Sequence, residues 1–123
     1  VLTAVKGLAP QVRVIAVEPE GAPTIRAGLD AGRPVELDGI RTRAGSLAPR
    51  NTDEANLQVV RALLDEHVLV SDAELEDASA WLTEELALRV ELAGAAGVAA
   101  LRSGRIQGLG DGAICAIVCG RGR

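Results

Sequence analysis

The sequence predicts an α/β domain in which helices cover a mainly parallel sheet. Two apolar runs, 12–17 and 113–118, are rich in β-branched residues and do not alternate with polar ones, a pattern typical of strands buried on both faces. Between them, 51–66 and 71–86 carry apolar residues at helical spacing. Strands that alternate with helices in this way indicate a layered fold with a parallel sheet.

Composition limits the chain to one core and excludes several classes of partner. The 123 residues are 48% hydrophobic, with 13 basic and 17 acidic side chains that are interspersed. Because no basic stripe forms and Trp81 is the one aromatic residue, we expect no binding to nucleic acid. The longest apolar stretches fall well short of the ~20 residues that span a bilayer, and no secretory signal is visible, so a cytoplasmic location is expected.

The first elements form a strand-turn-helix unit. Residues 1–6 have the pattern of the last turns of a helix, which Gly7 and the following proline end. The strand 12–17 comes next, and a short helix is predicted over 23–31, with Gly32 closing it.

The next stretch, 33–50, is rich in glycine and proline and is predicted to be a loop with one short strand near 35–37. A loop of this length is either functional or a connection that wraps the surface, and the residues do not separate the two. Asn51 and Glu54 then have the spacing of a capping box, which predicts a helix to about Glu66.

The second half of the chain repeats the pattern of a strand followed by a helix. A short strand is predicted over 68–70, and Ser71 with Glu74 forms a second capping signature before the helix that follows. The small apolar segment 93–101 suits a helix that packs tightly against another backbone, with a close approach to a ligand as the alternative.

Chemistry in such folds sits at the carboxyl ends of the strands, where loops meet helix N-termini. Two loops qualify here, 18–22 and 119–122. The glycine run 108–112 precedes a strand rather than following one, so we interpret it as a turn and not as a phosphate loop. The single histidine, His67, is interpreted as the polar end of a helix rather than a catalytic base.

Two cysteines lie along the last predicted strand and its C-terminal end, Cys115 and Cys119. The rise of ~3.3 Å per residue in a strand puts their Cα atoms roughly 13 Å apart. A disulfide allows at most ~7 Å, so the two are not expected to bridge each other. One histidine and no Cys-x-x-Cys spacing leave no zinc site to propose.

Taken together and in order, five segments resemble a known family. They read VRVIAVEPEGAPT, IRAGLDAGRPV, AGSLAPR, EEL running into VELAGAAGVAAL, and AICAIVCG. The chain is similar to the C-terminal third to half of the pyridoxal-phosphate-dependent threonine/serine dehydratases, which have the tryptophan-synthase-β-like fold type II. This resemblance implies a partial three-layer α/β/α arrangement and makes 1–123 the C-terminal part of a dehydratase domain.

The resemblance also implies an activity and a set of site residues. Enzymes of this family remove water from L-threonine or L-serine and end with a 2-oxo acid and ammonia, with pyridoxal phosphate as electron sink. The residues that match the family's cofactor contacts are Cys119, Gly120, Glu91, Gly94 and Ser46. Cys119 matches the residue that contacts the pyridine nitrogen, Ser46 matches the loop on the substrate side, and Glu18 matches a carboxylate that holds a structural cation in some relatives.

The chain departs from the family pattern at several positions. Gly45 replaces an aspartate, Leu92 replaces a proline, Arg121 falls where an asparagine is expected soon after the strand-end glycine, and Thr24 replaces a second acid of the cation site. The family's Schiff-base lysine and glycine-rich phosphate loop correspond to positions before Val1, whereas Lys6 matches a surface helix position.

Three hypotheses follow. The first is a fragment of a hydroxy-amino-acid dehydratase, with a homo-oligomer left open as its assembly. The second is a non-catalytic small α/β binding or regulatory module derived from the same fold. The third is a chain that does not fold stably alone, because the apolar faces of its amphipathic helices lack their usual cover.

Overall fold

A computed structural model describes residues 1–121, which form helices around a two-stranded parallel sheet. Two 3₁₀ segments, Gly45–Leu47 and Leu92–Ala95, lie in the connections. In chain order the main elements are α1 (Leu2–Leu8), β1 (Ile15–Pro19), α2 (Thr24–Ala31), α3 (Glu54–Leu63), β2 (Glu66–Val70), α4 (Asp72–Leu86) and α5 (Ala96–Arg102).

The sheet separates two groups of helices. β1 pairs with β2 in parallel, from Ile15 opposite Glu66 to Pro19 opposite Val70. One face of the sheet joins the core formed with α4 and α5. On the other face, Glu18 reaches the start of α2, which in turn packs against α3. Helices therefore lie on both sides of the sheet, and the predicted partial three-layer α/β/α arrangement is confirmed.

The main core lies between the sheet and α4 with α5. Leu75 and Leu82 of α4 are fully buried against Val70 of β2. The small side chains of α5, including Ala99 and Ala100, are also buried, which lets α5 approach α4 and the sheet closely. The prediction that 93–101 serves tight helix packing is confirmed.

β1 begins three residues later than predicted. The N–H group of Val14 donates to the side-chain carboxylate of Asp65 at 2.6 Å, and the carbonyl of Val14 accepts from the N–H of Asp65. Before Ile15, the side chain of Asp65 thus accepts a backbone N–H group that a neighbouring strand would otherwise bond. The ladder with β2 starts only where two backbones run side by side.

Two predicted strands are not formed. Residues 113–118 have no regular secondary structure, and Ile114 and Ile117 are more than half exposed. A strand needs a hydrogen-bonded neighbour, and within residues 1–121 this run has none. Near 35–37 the N–H of Leu37 donates to the carbonyl of Arg50, and the Arg50 guanidinium donates back to the carbonyl of Leu37, so the loop is closed without a ladder.

The N-termini of α3 and α4 show which side chains cap these helices. Ser71 and Glu74 form the predicted capping box of α4, with each side chain bonded to the other residue's backbone N–H. The predicted cap of α3 is wrong by two residues, because Asp53 and not Asn51 accepts the N–H of Asn56. α3 also ends at Leu63, since the chain must turn to enter β2.

Over residues 1–121, each helix is too short or too polar to cross a membrane.

Candidate cofactor site

The five residues matched to the family's cofactor contacts come together at one edge of the fold. The hydroxyl of Ser46 donates to the Glu91 carboxylate at 3.1 Å. The backbone N–H of Glu91 donates to the carbonyl of Gly120 at 3.1 Å, and the N–H of Gly94 donates to the carbonyl of Glu91 at 3.0 Å. Three separate parts of the chain therefore meet around Glu91.

Both glycines of this cluster are required by close packing. A Cβ on Gly94 would overlap the carbonyl oxygen of Cys119, so only glycine fits there. Gly120 has φ +73, and a Cβ at that position would overlap the Glu91 side chain. The two glycines let the turn after Cys119 lie directly on the segment that carries Glu91.

Local structure holds each part of the cluster in place. Ser46 lies in a 3₁₀ turn that follows Ala44, which is buried in the core. Glu91 precedes the 3₁₀ turn that leads into α5, and its neighbour Val90 forms an antiparallel bridge with Arg121. Gly122, the last residue of the predicted loop 119–122, lies outside the described residues.

The chemical groups at this edge fit the ring side of pyridoxal phosphate. Cys119 carries a free, exposed thiol, and the Ser46 hydroxyl and the Glu91 carboxylate lie in the same cluster. A neutral thiol is a weak donor and a weak acceptor, and therefore suits a pyridine nitrogen that stays largely unprotonated. Cys115, also free and exposed, lies four residues earlier in the run 113–118.

A second polar cluster surrounds Glu18, at the end of β1. Its Oε1 accepts the N–H of Ile25 at 2.7 Å, and its Oε2 accepts the N–H of Arg26 at 3.0 Å. The ring Nε2 of His67 lies 2.7 Å from the same Oε2. Glu18 is 8% exposed, so this carboxylate caps the N-terminus of α2 from inside the protein.

The interpretation of His67 as the polar end of a helix is wrong. His67 lies in β2, opposite Ala16 of β1, and its side chain is buried. The guanidinium Nε of Arg26 donates to Nδ1 at 3.3 Å, so we assign the ring proton to Nε2, which donates to Glu18. The register between β1 and β2 places His67 beside Glu18. The local sequence does not predict that register.

Glu18 also remains the predicted cation ligand. A carboxylate offers about four lone-pair sites, and three N–H groups occupy three of them here. Within residues 1–121, Glu18 belongs to no cluster of three or more histidine, cysteine, aspartate or glutamate side chains. A cation at Glu18 would therefore draw its other ligands from carbonyl groups, water or chain outside these residues.

Lys6 is engaged elsewhere. Its Nζ donates to the carbonyl of Val12 at 2.8 Å and forms an ion pair with Asp65. The hydrogen bond from Lys6, together with the N–H of Val14, holds the pKa of Asp65 below its usual value. The single lysine of the chain thus ties α1 to the start of β2.

Comparison with known proteins agrees with the fold. The family model for pyridoxal-phosphate dependent enzymes matches residues 1–120. Phenylserine dehydratase from Ralstonia pickettii is 38% identical over 120 residues, which is 98% of this chain and 37% of that protein. L-Threonine ammonia-lyase from Thermotoga maritima is 36% identical over 101 residues, which is 82% of this chain and 25% of that protein.

Solved structures show the same relationship. A T.th. threonine deaminase superposes with a TM-score of 0.78 at 33% identity, over 85% of this chain and 36% of that one. Maize serine racemase superposes with a TM-score of 0.75 at 33% identity, over 80% of this chain and 31% of that one. The chain spans about a third of the length of these proteins, and the expected fold type II architecture is confirmed. The chain belongs to the family of pyridoxal-phosphate dependent enzymes.

Proposed function

We propose that this chain forms the ring-nitrogen side of the cofactor site in a lyase that deaminates L-threonine or L-serine to a 2-oxo acid and ammonia. The observation that supports this function is the convergence of Ser46, Glu91, Gly94, Cys119 and Gly120, brought from distant parts of a chain of this family. Relatives named phenylserine dehydratase and L-threonine ammonia-lyase favour a β-hydroxy amino acid as substrate.

Each residue has a distinct role in this proposal. The Cys119 thiol contacts the ring nitrogen, and Gly120 turns the chain so that the thiol stays at the edge of the fold. The Glu91 carboxylate, oriented by the hydroxyl of Ser46, borders the same site. Gly94 keeps the Cys119 turn packed against the segment that carries Glu91.

Pyridoxal phosphate supplies the electron sink when it is bound. A thiol at Cys119 would offer the ring nitrogen only a weak hydrogen-bonding partner, and a ring nitrogen that is not protonated would favour loss of the substrate hydroxyl as water over transamination. Water then hydrolyses the resulting imine to the 2-oxo acid and ammonia. The net reaction consumes no oxidant or reductant.

The proposal is tested with the remainder of the fold supplied by a relative. This chain is mixed with the part of Ralstonia pickettii phenylserine dehydratase that precedes the stretch it matches, and pyridoxal phosphate is added. We expect L-threonine, L-serine or phenylserine to yield 2-oxo acid and ammonia in equal amounts. Equal turnover without this chain would contradict the proposal.

A pair of cysteine variants locates the site. Cys119→Ala should lower turnover by about 10- to 100-fold, the effect of losing one hydrogen bond in the reacting complex. Cys115→Ala is the matched control, since it removes the other free, exposed thiol of the same segment and should leave turnover unchanged. Equal losses in the two variants would argue against a role for Cys119.

A non-catalytic binding module is the second candidate, and the contacts of Lys6 favour it for the chain alone. The only lysine is held by Val12 and Asp65, so the chain by itself brings no lysine side chain to the proposed site. Mixing the chain alone with pyridoxal phosphate should give no visible Schiff-base absorption. A strong band that Lys6→Ala abolishes would overturn both candidates.

A cytoplasmic location, a homo-oligomeric assembly, the absence of nucleic-acid binding and a cation at Glu18 stay predictions from the sequence.

A further inference from the structure

The loop that carries Ser46 is bonded to a residue outside the candidate cofactor site, Asp72. Asp72 is the first residue of α4, and each of its carboxylate oxygens accepts one hydrogen bond from the loop. Oδ1 accepts the hydroxyl of Thr42 at 2.5 Å, and Oδ2 accepts the backbone N–H of Arg43 at 2.8 Å. One carboxylate therefore fixes both a side chain and the backbone of the loop.

Further contacts lead from this point to the site. The Thr42 hydroxyl also accepts the N–H of Ala44 at 3.1 Å. Ala44 is buried and immediately precedes the 3₁₀ turn 45–47. Ser46 lies in that turn and donates to the Glu91 carboxylate at 3.1 Å. A short series of contacts thus connects the start of α4 to the serine hydroxyl.

Charge reinforces the contact between the loop and α4. The guanidinium of Arg43 lies 3.7 Å from the Asp72 carboxylate and forms an ion pair with Glu76, one turn further along α4. The hydrogen bond from Thr42, supported by the N–H of Arg43 and opposed by burial, holds the pKa of Asp72 below its usual value. Asp72 is therefore ionised at neutral pH, and both of its oxygens are acceptors.

Gly45 leaves the turn around Ser46 in need of such support. A Cβ on Gly45 would meet nothing within 4 Å, so packing does not require a glycine there. Glycine gives the backbone more conformational freedom than any other residue. Ala44 and Leu47 pack on the core on either side of the turn, which fixes its place. We expect the direction of the hydroxyl between them to depend on the hydrogen bonds that hold the loop.

We propose that Asp72 is a positioning residue for the cofactor site, because its two hydrogen bonds hold the loop 42–46 so that the Ser46 hydroxyl reaches Glu91. Its effect on Ser46 passes through Thr42 and the turn. The consequence for catalysis rests on the proposed function, whereas the effect of Asp72 on the loop and on Glu91 is independent of turnover.

The chain alone is tested by nuclear magnetic resonance. Asp72→Asn keeps the size of the side chain but leaves one acceptor oxygen instead of two. The amide of Ala44 should then exchange with solvent about 10-fold faster, the effect of losing one hydrogen bond. Ser46→Ala defines how the carboxyl carbon resonance of Glu91 moves when its bond is lost. In Asp72→Asn the same resonance should move in the same direction.

Two further variants separate the contact from a general effect on α4. Asp77→Asn is the matched control, because that carboxylate of α4 pairs with Arg102 and not with the loop. Its exchange rates and the Glu91 resonance should match those of the wild type. Thr42→Val removes the hydroxyl from the loop side and leaves α4 unaltered, so it should reproduce the changes of Asp72→Asn even if that variant weakens the helix.

The consequence for the site is measured with the same mixture that tests the proposed function. Asp72→Asn should lower kcat by about 10-fold, whereas Asp77→Asn should leave it unchanged. In a Ser46→Ala background, Asp72→Asn should cause little further loss, because residues that act through one contact are not additive. Changes in exchange and in the Glu91 resonance without any turnover would support the positioning role and count against the proposed function alone.

Three outcomes would overturn the inference. In the first, Asp72→Asn and Thr42→Val leave the exchange of Ala44 and the Glu91 resonance unchanged, so that core packing alone holds the turn. In the second, Asp77→Asn causes the same changes as Asp72→Asn. In the third, Asp72→Asn lowers kcat as strongly in the Ser46→Ala background as in the wild type.

Discussion

Gly94 packs against Cys119 so closely that any side chain on Gly94 would overlap the carbonyl oxygen of Cys119. This contact joins the turn before α5 to the residue that follows the run 113–118. It places the backbone of Cys119, a residue with a free thiol, beside the segment that carries Glu91. The position of the proposed ring-nitrogen contact therefore depends on the absence of one methyl group.

Gly94→Ala should lower the free energy of unfolding by about 1–3 kcal/mol, the usual effect of overpacking a filled site. Gly97→Ala is the control in the same small-residue segment, because its Cβ would meet the nearest atom at an ordinary 3.7 Å. That variant should be neutral or stabilise α5 by about 0.5 kcal/mol. Urea unfolding of both variants checks this, and equal midpoints would contradict the contact.

The cap of α3 can be tested by comparing Asp53→Ala with Asn51→Ala. Asp53 accepts the N–H of Asn56 at 2.6 Å, so its loss should cost about 1 kcal/mol. Asn51, which is exposed, should change stability by less than about 0.5 kcal/mol. Thermal unfolding monitored by circular dichroism measures the difference, and the reverse order would restore the cap predicted from sequence.

Glu74 should contribute stability that depends on pH. Its hydrogen bonds with Arg105, supported by those from Ser71 and opposed by burial, lower the pKa of Glu74 to about 2. Since this pKa is depressed, the stabilisation is fully present above the unfolded value of about 4.3 and is lost as pH falls through about 2.

Glu74→Gln should therefore be less stable than the wild type at pH 7 by about 1–2 kcal/mol, after allowance for solvent screening around the half-exposed Arg105. The difference should shrink towards pH 2. Urea titrations at several pH values measure it, with Glu84→Gln, on the exposed side of α4, as the control. A difference that stays constant with pH would exclude the ionised Glu74 as its source.

Glu18→Gln should destabilise the fold by about 1–3 kcal/mol, because a buried carboxylate that accepts three N–H groups loses its charge and one acceptor oxygen. Glu20→Gln is the matched control two residues later, where an exposed side chain contacts Arg105. Its effect should stay below about 1 kcal/mol. Calorimetric unfolding of both variants checks the difference.

The same pair of variants tests the predicted cation. If a cation binds at Glu18, adding Mg²⁺, Ca²⁺ or Mn²⁺ should raise the Tm of the wild type and of Glu20→Gln, but not that of Glu18→Gln. An equal response of all three proteins would remove Glu18 from the candidate ligands.

Much of the fold was predictable because helix signals are local. Ser71 and Glu74 start α4 through bonds three residues apart, and Gly32 ends α2 in the left-handed conformation. The candidate site was predictable for a different reason: its members were recognised through a family resemblance. Their convergence around Glu91 depends on long-range packing.

The sequence by itself determined where the helices lie, that a parallel sheet is present and which family the chain belongs to. Only the tertiary structure decided that 113–118 has no strand partner within the described residues, that β1 starts at Ile15 and that His67 contacts Glu18. The physical reason is the separation along the chain between the groups that interact. A helix satisfies its backbone groups within four residues, whereas a strand or a buried polar pair needs a partner that only the complete fold brings near.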